Sequence, residues 1–148
     1  MKKILVFLVV SLFITFNTCL ANISQDEVAL GGIKLGATPE YVKSVYGEPS
    51  SYINLPNNGI IYNYNDTFKI YFANLKYMYW METVSNNGIA TPSGVAVGMN
   101  ASILDKYGEI YYKEKKENIT YYAYWAPGRI VLVFGVENGK IISIKARC

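Results

Sequence analysis

Short alternations of apolar and polar residues dominate the chain, and two stretches switch to helical spacing. Alternation predicts strands over residues 60–64, 68–72, 77–84, 119–125, 130–134 and 141–146. Asn138-Gly139 between two apolar runs is a two-residue hairpin signal, and Pro127-Gly128 marks the turn before it. Asn57-Asn58-Gly59 opens the strands of the first half, and Asn74-Leu75 holds a less regular turn. In the first helical stretch Val42, Val45 and Tyr46 share one face, Thr38 stands at the cap, Pro39 at the first helical position and Gly47 at the stop. In the second, Ile103, Leu104 and Tyr107 form the apolar face between Asn100 and Gly108. The charge run 113–117 is expected to be a solvated hairpin loop.

The two helical stretches also resemble each other. Residues 33–49 and 95–110 share an apolar-x-apolar-Gly entry, a capping residue, a helix and Tyr-Gly, and similar strands follow each. The expected organisation is therefore one domain over 22–148, made of two repeats at about 31–85 and 94–147. The tract 86–94, rich in Asn, Gly, Pro and Ser, joins them. The expected fold class is α+β: two tandem helix-plus-antiparallel-strand repeats forming one sheet, with two short helices packed on one face.

The N-terminus changes the setting. Lys2 and Lys3 precede an apolar run over 4–16, and Cys19-Leu20-Ala21 places small residues at the −3 and −1 positions of a cleavage site. Residues 1–21 are expected to be a secretory signal peptide, which predicts a periplasmic or secreted location. The run is short for a membrane span of about 20 apolar residues. An uncleaved anchor is one alternative. Lipidation of Cys19 is another, against a lipobox in which Phe16 and Thr18 replace the usual leucine and small residue. Membrane contact follows only from such anchoring. Without Cys19, Cys148 has no intrachain disulfide partner.

Composition excludes several classes. The 148 residues are 51% hydrophobic and 17% charged, which excludes a disordered chain. A net charge of +3, two of it carried by the signal, gives no basis for nucleic-acid binding. With no histidine, a Ser-His-Asp or Cys-His site cannot form, and zinc loses its commonest ligand. Asp26-Glu27 lacks the six or more oxygens calcium wants. Glu82, Glu109 and Glu137 are scattered, and the glycines form no phosphate loop. No cofactor, no metal and no enzymatic activity are expected.

The segments Leu35-Gly36-Ala37-Thr38 with Val42 and Gly47-Glu48-Pro49, echoed by Val97-Gly98-Met99-Asn100 and Gly108, resemble the SmpA/OmlA (BamE-like) domain family. Two such units in one chain are similar to the tandem architecture of the beta-lactamase-inhibitor-protein-like fold, although those proteins carry disulfides. The resemblance implies an extracytoplasmic, non-enzymatic domain of the cell envelope that works by protein contact.

What the chain has in abundance is aromatic side chains, 15% of residues, with 14 tyrosines. Strict alternation puts Tyr77, Tyr79 and Met81 on one side of a strand and Met78, Trp80 and Glu82 on the other. Tyr121, Ala123 and Trp125 likewise oppose Tyr122 and Tyr124. A sheet face lined with such rings suits recognition, because they offer contact area at low entropy cost. The expected partner face comprises Tyr77, Tyr79, Tyr121, Tyr122, Tyr124 and Trp125, and the expected partner is an envelope or secreted protein. Inhibition of an exported hydrolase such as a beta-lactamase or protease is an alternative function, and cell-wall glycan binding is another.

Overall fold

A computed structural model describes residues 23–148. The signal-peptide expectation at 1–21 lies outside the described residues. The fold is mostly β. A two-stranded ribbon, β1 (Ala29–Leu30) and β2 (Ile33–Lys34), precedes the one α-helix among the described residues, α1 (Pro39–Tyr46). An eight-stranded antiparallel sheet holds β3 (Ser51–Leu55), β4 (Gly59–Tyr64), β5 (Phe68–Ala73), β6 (Tyr77–Thr83), β7 (Tyr112–Lys116), β8 (Ile119–Ala126), β9 (Ile130–Glu137) and β10 (Lys140–Arg147). Its spatial order is β3-β4-β5-β6-β10-β9-β8-β7, so two four-stranded meanders meet where β6 pairs β10.

This corrects the expected α+β class of helix-plus-strand repeats. Helix is a minor component, and only one of the two expected helices is α. In α1 the Thr38 hydroxyl accepts from the Tyr41 amide at 3.2 Å, and Val42 and Gly47 amides bond carbonyls four residues back. The second segment, Ala101–Tyr107, is a 3-10 helix. Its Asn100 makes no side-chain cap bond, and the Ile103 and Gly108 amides bond carbonyls three residues back. A 3-10 turn rises about 2.0 Å per residue against 1.5 Å in an α-helix, so this shorter segment reaches as far as α1. The charge run is also corrected. Residues 113–116 belong to edge strand β7, and the turn follows at Glu117, whose φ is 52°. Lysines on an edge strand discourage pairing with other chains, which is why a charged run survives there.

One face of the sheet builds the core. Tyr62, Ile70, Met81, Ala146, Leu132 and Tyr124 run across it in register, and Phe68, Thr83, Ile144 and Phe134 form the adjacent row. Val28, Leu30 and Ile33 from the N-terminal ribbon region close over this face. So do Val42 from α1, Val95 and Val97 from the joining tract, and Leu104 and Tyr107 from the 3-10 helix.

Polar contacts pin that cover. The Tyr46 hydroxyl donates to the Gly31 carbonyl at 2.7 Å. Glu27 accepts from the Tyr107 hydroxyl at 2.8 Å and from the Ser93 amide at 3.1 Å, while Thr91 Oγ1 lies 2.8 Å from the same hydroxyl. Burial pushes the Tyr107 hydroxyl above its ordinary pKa, so it stays a neutral donor in this network.

Candidate functional site

The opposite sheet face carries a cluster of accessible aromatics. Strict alternation would put Tyr79 and Trp80 on different sides of β6. Instead Tyr71 pairs Trp80 while Phe72 pairs Met78, so Tyr79 is an extra residue in β6. This β-bulge turns Tyr79 and Trp80 to the same face, leaving Met78 and Met81 in the core. The Tyr71 ring packs against both, at 6.0 Å from Tyr79 and 5.9 Å from Trp80. Tyr77, 68% exposed, and Tyr79, 48% exposed, are open to a partner.

The seam between β6 and β10 adds charge. Glu82 and Lys145 are register partners and form an ion pair at 3.2 Å. Lys145 Nζ also sits 5.0 Å from the Trp80 ring centre, and Arg147 pairs with Trp80 in register. Toward β7 the face dips into an open groove of about 340 Å³. Tyr112, Glu114 and Lys116 of β7, Tyr121 of β8 and Ser143 of β10 contribute to its walls. Gly135, register partner of both Ser143 and Tyr121, leaves no room for a side chain: a Cβ there would collide with Ser143 Oγ. At the far end Trp125 packs against Tyr111, their rings tilted with centres 5.0 Å apart.

The six expected partner-face residues therefore divide. Tyr77, Tyr79, Tyr121 and Trp125 lie on the accessible face. Tyr122 and Tyr124 lie on the covered one. Tyr124 is 1% exposed, its ring 5.2 Å from Tyr107 and 5.9 Å from Phe134, and its hydroxyl reaches the Leu104 carbonyl at 3.4 Å. Burial pushes its pKa up to about 12. Tyr122 pairs Phe134 in register, packs against the core and carries Lys113 Nζ 5.0 Å from its ring. The cause is the two-residue period of a regular strand: β8 pairs β9 without a bulge, so Tyr121 and Tyr122 face opposite sides.

Sequence reasoning missed Tyr71, Trp80, Tyr112 and Arg147 on this face. The alternation Phe68, Ile70, Phe72 against Lys69, Tyr71 held the signal for Tyr71. Nothing in the local pattern marked the β6 bulge. The arrangement offers aromatic contact area, paired charges and hydroxyls. Among the described residues, no group of three or more Cys, Asp or Glu is placed to hold a metal ion.

No family model matches the chain, and no curated protein matches it. Among solved structures, a crystal structure of an extracellular protein containing an SCP domain, from Bacillus anthracis, aligns with a TM-score of 0.52 at 11% identity. The chain shares that protein's fold over the aligned part. The alignment covers 76% of this chain and 43% of that one, so the chain spans under half of its length.

Proposed function

We propose that this protein is an extracytoplasmic, non-enzymatic binding module that contacts another exported protein through its accessible sheet face. The observation that carries this reading is the bulge that aims Tyr79 and Trp80 outward together beside Tyr71. A β-bulge costs regular pairing, and here the extra residue puts Tyr79 on the same face as Trp80, which strict alternation would keep apart. Clustered Tyr and Trp on a rigid sheet are the residue types that dominate protein-contact energetics. The signal-like N-terminus and the resemblance to BamE-like domains support an extracytoplasmic setting. The extracellular protein that shares the fold is consistent with it.

The test is affinity capture from envelope and culture-medium extracts of the protein's own host, with Cys148 blocked. One protein retained by the native chain and lost on Tyr79→Ser/Trp80→Ser supports the reading. Tyr41→Ser/Val45→Ser removes two exposed apolar residues from α1, on the covered side, and should retain it. Equal retention by both variants overturns the assignment of the face. Retention of isolated cell-wall glycan in place of any protein would move the function to glycan recognition.

A further inference from the structure

We infer that the groove beside the aromatic cluster takes an extended, acidic peptide segment of the partner; the inference rests on the protein-contact reading above. Within the groove two ion pairs cancel: Glu82 with Lys145 and Glu114 with Lys116, each at 3.2 Å. Arg147 also lines it and has no acidic partner among the described residues. It is exposed, and its guanidinium is the donor best suited to a carboxylate because it can bind both oxygens at once. Lys69, opposite Glu82 on β5, extends the positive character across the seam and forms no ion pair among the described residues. The rest of the chain is nearly balanced in charge, so this excess is a property of the face.

Geometry selects a peptide. Lys145 and Arg147 stand two residues apart on the same side of β10, a spacing of about 7 Å in an extended strand. Alternate side chains of an extended peptide repeat at that same distance. Acidic residues at every second position of a strand lying along β10 would meet Arg147 and displace Glu82 from Lys145. The intervening side chains would point away from the sheet. Tyr121, Tyr112 and Trp80 flank the track and would cover the peptide's apolar atoms.

Titration of tryptophan fluorescence tests this, since Trp80 touches the track. The probes are a ten-residue oligoglutamate, an oligolysine of equal length and an oligogalacturonate. Saturable quenching by oligoglutamate and none by oligolysine is expected. Arg147→Gln should weaken it about fivefold, the scale of one partly solvated ion pair, with Arg147→Lys recovering part of the loss. Lys69→Gln, farther along the seam, should weaken it less. Each variant's unfolding midpoint, expected unchanged, shows that it folds.

No saturable binding of oligoglutamate, or binding indifferent to Arg147→Gln, would overturn the inference. Tighter binding of oligogalacturonate would reassign the groove to an acidic glycan and overturn it as well. If Tyr79 and Trp80 hold a partner whose binding ignores Arg147, this inference fails and the protein-contact reading stands. If no partner depends on Tyr79 and Trp80, the broader reading fails by itself.

Discussion

Replacing Tyr124 by alanine should cost far more stability than replacing Tyr79, although both are strand tyrosines in an aromatic-rich sheet. Tyr124 is 1% exposed and packs against Tyr107 and Phe134, with rings at 5.2 and 5.9 Å. Removing a buried aromatic loses its transfer free energy and leaves a cavity, together about 3–5 kcal/mol. Its hydroxyl contributes little of that, because 3.4 Å to the Leu104 carbonyl is long for an O–H donor. Tyr124→Phe should therefore cost under about 1 kcal/mol. Tyr79 is nearly half exposed, and its edge-on contact with Tyr71 is a surface pair, so Tyr79→Ala should stay within about 1 kcal/mol. Urea unfolding of the four proteins, with a common m-value, measures all three differences. At about 3 °C per kcal/mol the Tyr124→Ala midpoint would fall by roughly 10–15 °C on heating. Equal losses for Tyr79→Ala and Tyr124→Ala would refute the division of the sheet into a covered and an open face.

Tyr107→Phe removes the hydroxyl between Glu27 and Thr91 and should cost about 1–3 kcal/mol, with faster hydrogen exchange at the Val95 amide, which Thr91 accepts. Gly135→Ala drives a methyl into Ser143 Oγ and should destabilise by about 1–3 kcal/mol; adding Ser143→Gly should restore most of it. Tyr64 and Tyr124 have pKa values pushed up to about 12 by burial, against 10.0 when free. Their contribution is intact below pH 10, where both states are protonated. It is lost as pH rises from 10 toward 12, because the unfolded chain ionises first. The unfolding midpoint should fall over that window, and Tyr124→Phe should make the fall shallower.

Local signals were readable where one residue type has one structural use. Thr38, Pro39 and Gly47 bound α1 as capping chemistry requires. Asn138 and Gly139 both take positive φ, 49° and 73°, in the tight β9–β10 turn. The second helical stretch misled because Ile103, Leu104 and Tyr107 suit a 3-10 helix as well as an α-helix, and its neighbours decide. The Ala101 amide bonds the Gly139 carbonyl and the Gly98 amide bonds the Ile141 carbonyl, fixing the segment's approach to β10.

Charge hid β7, since edge strands tolerate the lysines that loops also carry. On the candidate face, Tyr77, Tyr79, Tyr121 and Trp125 were reachable from alternation. Tyr122 and Tyr124 were misplaced by treating neighbouring residues as one surface. That Trp80 shares a face with Tyr79 was beyond sequence, because it depends on one unpaired residue in β6, set by pairing with β5.

Site-specific photo-crosslinking in the native host tests the central claim most directly. A photoreactive phenylalanine analogue would replace Tyr79 or Tyr112 on the open face, or Tyr41 on α1 as the comparison. The account expects the two open-face positions to trap one and the same protein, and Tyr41 to trap none. Trapping of that protein from Tyr41 alone, or from all three positions alike, would contradict it.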